Sequence, residues 1–187
     1  MAKPLEILVV EDREENRKAA LDYFSTISDV IVDFATNYND GLQKLQNRIY
    51  AAAIFDLELP RREGKWNYSH LQFNTTTGKF DLELPVRKEE AQPEKLGFNL
   101  ADEATKYAVP WAVITSGRGH HLTEDAFVCY EWEKDRVLHE ITEIPKTDSR
   151  AWKKVYETLI ENNPNVAEEY EAKLRYKKRT GKMYTRK

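Results

Sequence analysis

Cysteine is nearly absent from this sequence of 187 residues, which contains only Cys129. One cysteine cannot form an intramolecular disulfide, so the disulfide frameworks of small secreted proteins are excluded and a reducing compartment is favoured. A single thiol can act as a nucleophile, but a small buried side chain is its more frequent role. We therefore expect Cys129 to be buried.

Long apolar runs are absent as well. Runs such as residues 7–10 and 51–55 are far shorter than the about 20 residues that cross a bilayer as a helix. The N-terminal stretch MAKPLEILVVED has one lysine and reaches acidic residues after a few apolar positions, unlike a secretory signal. We expect a cytoplasmic protein that does not enter the membrane.

Acidic residues are missing from the C-terminal stretch 173–187, which carries eight basic side chains. The other 172 residues carry 21 basic and 32 acidic side chains, a net charge of −11. The basic stretch, with Tyr176 and Tyr184, could contact the phosphates and bases of a nucleic acid. We favour a solvated helix end, because Lys and Arg suit the negative end of a helix dipole.

Short segments rich in β-branched and apolar residues predict buried strands, and helical patterns lie between them. Alternating strands and helices are typical of βαβ units around a parallel sheet, and the length suits one domain. The sequence predicts an α/β fold with a doubly wound, five-stranded parallel sheet. The predicted strands are 5–10, 30–35, 51–56, 111–116 and the edge strand 139–144, and predicted helices include 97–108, 124–134 and 166–178.

The alternation of strands and helices is interrupted at about residues 61–95, and the insertion contains a predicted β-hairpin at about 68–85. The hexapeptide FDLELP occurs twice, at 55–60 and at 80–85. The first copy ends a strand that is buried on both faces, whereas the second is the returning strand of the hairpin. We predict a main domain over residues 1–163 and a separate, basic helical extension over 164–187.

Polar residues follow the predicted strands where their carboxyl ends meet, which is where ligands bind in open α/β sheets. Glu11 and Asp12 follow the first strand, Asp56 ends the third, Thr115 ends the fourth and Lys146 follows the fifth. Asp12 could instead merely cap the first helix. Three carboxylates held together repel one another unless a cation joins them, and Mg²⁺ prefers such oxygen ligands.

The same residues could transfer a phosphoryl group. Thr115 and Lys146 would hold phosphoryl oxygens while Asp56 attacks the phosphorus in line. The site therefore has the groups needed to form an acyl phosphate.

Three motifs carry a family resemblance: ILVVEDREENR at 7–17, FDLELPRREG at 55–64 and VPWAVITSG at 109–117. With a lysine after the last predicted strand, they make the chain resemble a response-regulator receiver domain of two-component signalling over about residues 4–162. The resemblance implies the flavodoxin-like strand order 2-1-3-4-5. It also implies that Asp56 is the phosphoacceptor, that Glu11, Asp12 and the Glu58 carbonyl join Asp56 as Mg²⁺ ligands, and that Thr115 and Lys146 contact the phosphoryl group.

Two departures from the family pattern concern the segment around the lysine. Pro145 precedes Lys146 and Thr147 follows it, whereas the family has proline after the lysine. Glu143 replaces the aromatic residue that the family has three positions before the lysine, and whose rotation reports phosphorylation.

The resemblance implies a phosphorylation-dependent switch and not a metabolic enzyme. A histidine kinase or phosphotransfer protein would donate the phosphoryl group, and output would pass to a downstream protein target or through a homodimer. The main alternative is an unphosphorylated pseudo-receiver scaffold that binds a partner through the hairpin and the basic extension. A nucleic-acid-binding accessory protein is disfavoured, and a Mg²⁺-dependent phosphatase lacks an obvious second acid–base group.

Overall fold

The computed structural model describes residues 3–62, 68–69, 72–74, 79–81, 92–93, 95–116, 126–132, 136–142 and 144–186. Within these ranges, no helix combines the length and the hydrophobicity that a membrane crossing requires. The helices are α1 (Glu14–Phe24), α2 (Tyr38–Asn47), α3 (Leu96–Lys106), α4 (Ser149–Glu161) and α5 (Val166–Thr180). The strands are β1 (Leu5–Val10), β2 (Val30–Ala35), β3 (Ala52–Asp56), β4 (Tyr68–Ser69), β5 (Gln72–Asn74), β6 (Lys79–Asp81), β7 (Gln92–Pro93), β8 (Trp111–Ser116), β9 (Ala126–Trp132) and β10 (Arg136–Thr142).

Six strands form the main sheet in the order β2-β1-β3-β8-β9-β10. The first four lie where the sequence predicts buried strands, and they pair in parallel, β1 with β2 and β3, and β3 with β8. Crossover helices connect them, as parallel neighbours require. The α/β prediction and the order of these four strands are confirmed.

The prediction of a wholly parallel, five-stranded sheet is wrong. Residues 126–132, predicted as part of a helix over 124–134, form β9, which pairs antiparallel with β8 and with β10. The segment AFVCYEW is a short run of mainly apolar residues, whose periodicity does not separate a strand from a buried helix. Its Phe, Val, Tyr and Trp favour the strand.

The two antiparallel steps restore the direction of the chain. Because β9 reverses β8 and β10 reverses β9, β10 runs in the same direction as β8. Its end at Thr142 is therefore level with Ser116, the end of β8, since both residues pair with Ala126. The segment that follows β10, which carries Lys146, begins at the edge of the sheet where Asp56 lies.

Helices cover both faces of the sheet. Along β1, Ile7 and Val9 pack with the apolar side chains of α1 and α4, whereas Leu8 and Val10 pack with those of α2 and α3. This alternation is the period of two of a strand buried on both faces. Cys129 in β9 is buried, as expected, and burial raises the pKa of its thiol to about 11.

The described residues of the insertion form two short antiparallel pairs. Strands β5 and β6 pair with Phe73 opposite Phe80, within the range of the predicted hairpin, and β4 pairs with β7. The second FDLELP copy contributes its first two residues to β6. Asp81 thus lies opposite Gln72 in a two-stranded ribbon, whereas Asp56 ends a central strand of the main sheet.

Helix α5 is not the separate appendage that the sequence predicts. Tyr170 and Val166 are buried within the core that α1 and α4 form with the sheet. Lys173 Nζ donates to the carbonyl oxygen of Ala108 at 2.7 Å, and Lys177 Nζ donates to that of Asn47 at 2.6 Å. Ala108 precedes β8 and Asn47 precedes β3. Helix α5 therefore lies at the amino ends of the strands, whereas Asp56 lies at their carboxyl ends.

The packing of α5 predicts that Tyr170→Ala lowers the free energy of unfolding by about 3 kcal/mol, because a fully buried ring is replaced by a cavity. Glu171→Ala is the matched control. It removes only an exposed ion pair with Arg175 and should cost less than about 0.5 kcal/mol. Chemical denaturation measures both, and equal stabilities of the two variants would show that α5 does not belong to the core.

Candidate functional site

Three carboxylates meet at the carboxyl ends of β1 and β3. Val10 pairs with Phe55, so the residues that follow them, Glu11 and Asp56, leave neighbouring strands side by side. One oxygen each of Glu11, Asp12 and Asp56 lies within 4.8 Å of the others. Asp56 lies 45 positions after Glu11 and 44 after Asp12 in the sequence, and the pairing of β1 with β3 brings them together.

Lys146 places its ammonium among these carboxylates. Its Nζ lies 2.6 Å from Glu11 Oε2 and 2.9 Å from Asp56 Oδ1, and its side chain is only 2% exposed. The lysine lies in a turn that the Asp148 N–H closes by donating to the Pro145 carbonyl. The buried Trp152 of α4 donates from Nε1 to the Lys146 carbonyl at 2.7 Å, which fixes the backbone of the lysine.

The start of α1 orients the acidic pair. Asn16 Nδ2 and the Arg13 N–H each donate to Glu11 Oε1 at 3.1 Å. Arg17 Nη1 donates to the backbone carbonyls of Glu11 and Asp12 at 2.9 and 2.6 Å. The N-cap of α1 is Arg13, with no side-chain capping bond, so Asp12 is not the cap that the alternative interpretation required.

Gly97 in the first turn of α3 supports the backbone of Asp56. Its N–H donates to the Leu57 carbonyl at 3.0 Å. A Cβ on Gly97 would lie 2.2 Å from the carbonyl oxygen of Asp56, a distance that no side chain can occupy. Only glycine lets α3 approach the Asp56 loop this closely.

The other predicted site residues lie at the same edge. Asp56 pairs with Ile114 of β8, so Thr115 is one residue closer to the carboxyl end of the sheet than Asp56. Thr115 is half-buried. Glu58 is half-buried in the bend two residues after Asp56. Glu143, at the position where receivers have their aromatic residue, lies outside the described residues.

Burial and mutual repulsion control the ionisation of the cluster. Burial raises the pKa of Asp56 well above its usual range, and the charges of Glu11 and Asp12 add to this against the opposing effect of Lys146. Burial and Glu11 likewise raise the pKa of Asp12. Burial alone would lower the pKa of Lys146, but the negative charges of Asp56 and Glu11 have the larger effect and raise this pKa above its usual value. The ammonium therefore keeps its proton.

The donor set fits a divalent cation. If all four groups are ionised, three carboxylates and one ammonium leave a net charge of −2. Within the described part of the chain Glu11 Oε2 has no partner besides the Lys146 ammonium at 2.6 Å, so a second lone pair of this oxygen can face a metal. The 4.8 Å spread of the oxygens is close to the about 4.2 Å between opposite ligands of Mg²⁺.

Comparison of the chain with protein-family models, with curated proteins and with solved structures gave no match. The comparisons therefore neither support nor oppose the resemblance to receiver domains, which rests on the motifs and on the site that they form.

Four residues that support the site were missed at the level of the sequence. Asn16 and Arg17 follow Glu11 by five and six residues, and polar side chains at that spacing, in the helix after a strand that ends in a carboxylate, are a signal in the sequence. Gly97 lies in the first turn of α3, and a glycine there indicates a close approach of two backbones only when the neighbouring Asp56 loop is known. Trp152 is a fully buried core residue of α4, and its bond to Lys146 is visible only in the structure.

The charge balance predicts opposite effects of two substitutions on stability. Lys146→Met should lower the free energy of unfolding by about 3 kcal/mol, because two buried carboxylates lose their shared cation. Asp56→Asn should raise it, because one of three repelling charges disappears. Chemical denaturation without divalent ions tests both.

The effect of Asp56→Asn also has a defined pH dependence. Because the pKa of Asp56 is raised on folding, the folded protein holds the Asp56 proton to a higher pH than the unfolded protein does. The free energy of unfolding of the wild type therefore falls as the pH rises from the unfolded pKa through the folded pKa of this carboxyl. The gain from Asp56→Asn should therefore grow with pH. A gain that shrinks as pH rises would contradict the assigned charge state.

The raised carboxyl pKa values also predict that Mg²⁺ binding releases protons and weakens as pH falls. Calorimetric titration in two buffers of different ionisation enthalpy should give different heats at the same pH. Asp56→Asn should weaken binding by about tenfold or more, and Asp81→Asn, in the second hexapeptide copy, should leave it unchanged. Equal heats in the two buffers would rule out the proton release.

Proposed function

We propose that this protein is a receiver-like signalling switch that accepts a phosphoryl group on Asp56 in the presence of Mg²⁺. The observation that supports this function best is the meeting of Glu11, Asp12, Asp56 and Lys146 at one end of the sheet. In this proposal the flavodoxin-like order of a receiver is kept through its first four strands, and β9 is an added antiparallel strand before the last one.

Each group has a chemical role in the proposed reaction. An ionised Oδ of Asp56 attacks the phosphorus of a phosphohistidine in line, and the phosphorus–nitrogen bond breaks. The imidazole leaves with the bonding electron pair and takes a proton from solvent, and an aspartyl phosphate remains. Glu11, Asp12, Asp56 and the Glu58 carbonyl would hold Mg²⁺, which would supply positive charge to offset that of the phosphoryl group.

Lys146 and Thr115 stabilise the product in this scheme. The ammonium already contacts Asp56 at 2.9 Å, so it can bond to an oxygen of a phosphoryl group on that residue with a small displacement. Thr115, one residue beyond the partner of Asp56 on β8, offers a hydroxyl on the neighbouring strand. Phosphorylation would then draw Lys146 away from Glu11 and pull on the turn that Trp152 holds.

The proposed output passes through protein contacts. A histidine kinase or phosphotransfer protein would donate the phosphoryl group, and a downstream protein or a second copy of the chain would respond. The added β9 and the glutamate at position 143 make the segment between β8 and Lys146 depart from the family pattern, in addition to the insertion at about residues 61–95. A partner that reads this switch would therefore contact a different surface from the one that partners of ordinary receivers contact.

A second candidate is an unphosphorylated scaffold. It is favoured by the contact of Lys146 with Glu11 at 2.6 Å as well as with Asp56. An ammonium shared by both carboxylates partly neutralises the cluster without a metal, so the cluster could serve as a structural ion-pair network alone.

Incubation with Mg²⁺ and acetyl phosphate separates the two candidates. The switch predicts a base-labile gain in mass that requires Asp56 and Mg²⁺, or tight binding of beryllofluoride at the same residue. Asp56→Asn should abolish the modification, and Asp81→Asn, the same substitution in the second hexapeptide copy, should leave it intact.

Two results would reject the phosphorylated switch. If Mg²⁺ binds but neither acetyl phosphate nor beryllofluoride modifies the protein, the scaffold is the better explanation. If modification requires Asp81 and not Asp56, the hexapeptide assignment is wrong.

A further inference from the structure

A cleft of about 720 Å³ lies between α5, the C-terminal tail (residues 181–186) and the connection from α3 to β8. This tail cleft is at the opposite end of the sheet from Asp56. Its volume falls in the range of about 300–1,000 Å³ that is common for small-molecule sites in proteins. The tail cleft therefore has the capacity for a ligand of nucleotide size.

The tail is held in place as a wall of the cleft. Gly181 ends α5 with φ 69°, a left-handed conformation that suits glycine, and its N–H donates to the Lys177 carbonyl at 2.8 Å. The Arg186 N–H donates to the Lys106 carbonyl at 2.7 Å, beside the cleft. Between these points the Tyr184 ring meets that of Tyr176 edge-on, with centroids 5.7 Å apart. The wall is thus built by specific contacts.

Positive charge dominates the lining. Among the described residues, Lys173, Arg175, Arg179 and Arg186 line the cleft, together with one acidic residue, Glu169. Guanidinium groups present paired donors that match the oxygens of a phosphate. Arg175 also contacts the exposed Glu171 on the preceding turn of α5 at 3.1 Å, and such surface pairs exchange readily for another anion.

Lys173 brings a charge to the floor of the cleft. It is 5% exposed, and its Nζ donates to the carbonyl of Ala108, whose φ of 52° is unusual for a residue other than glycine. Burial lowers the pKa of Lys173 to about 8, while Glu169 acts in the opposite direction. An anion in the cleft would offset the cost of keeping this buried ammonium charged.

We propose that the tail cleft binds a nucleoside phosphate, with its phosphate oxygens at Arg175, Arg179 and Arg186 and its base against the exposed face of Tyr184. Tyr184 is 38% exposed at the cleft and supplies a flat apolar surface for a base. A single nucleotide is favoured over a nucleic-acid strand because the cationic groups surround one cleft with a buried lysine at its floor. This site is independent of the acid cluster and of its phosphorylation.

Calorimetric titration of the full chain with ADP, in EDTA so that the acid cluster holds no metal, tests the proposal. Arg179→Ala should weaken ADP binding about tenfold, as expected for the loss of one charge-assisted hydrogen bond. Lys178→Ala is the matched control, because Lys178 is an exposed neighbour on α5 that does not line the cleft. It should change the affinity less than about twofold, and Asp56→Asn should not change it.

Adenosine, inorganic phosphate and a short oligothymidine are the comparison ligands. ADP should bind more tightly than adenosine or phosphate, and Tyr184→Ala should reduce its affinity to that of phosphate. Absence of ADP binding would overturn the proposal, as would equal losses in Arg179→Ala and Lys178→Ala, which indicate diffuse attraction. Tighter binding of the oligothymidine with steep salt dependence would replace the nucleotide site by a single-strand surface.

Discussion

A buried ammonium shared by two carboxylates is the interaction on which this structure depends. Lys146 contacts Glu11 and Asp56, and all three side chains are almost completely withdrawn from solvent. Charges removed from water are costly unless they are paired, so none of the three could remain buried and ionised alone. The pairing also joins the ends of β1 and β3 to the segment that follows β10.

The route of the chain to this lysine explains the mixed sheet. A single antiparallel strand after β8 would leave the chain at the wrong end of the sheet, far from Asp56. The second reversal into β10 brings it back, and the bond from Trp152 then fixes the lysine backbone. Strands β9 and β10 form one side of the sheet, whereas the carboxylates lie at the ends of β1 and β3, so different segments build the sheet edge and the charged site.

The two ends of the sheet have opposite electrostatic character. The carboxyl ends carry the acid cluster, whereas α5 brings lysines and arginines to the amino ends. The buried Tyr170 ties this basic helix to the core, so the basic side chains are held on an ordered surface. An acidic site for a cation and a basic cleft for an anion can therefore coexist on one small domain without neutralising each other.

Apolar runs and the residues that end them are local patterns, so the amino-acid sequence is enough to predict the four parallel strands, the acidic pair, Asp56 and the lysine. Residues 126–132 form a strand because they pair with β8 and β10, and these tertiary contacts resolve an apolar run that fits either a strand or a helix. The position of α5 in the core and the support of the Asp56 loop by Gly97 depend on contacts between segments far apart in the chain, which no local pattern encodes. Asn16 and Trp152 bond to residues five and six positions away, and only the folded geometry shows which donor meets which acceptor.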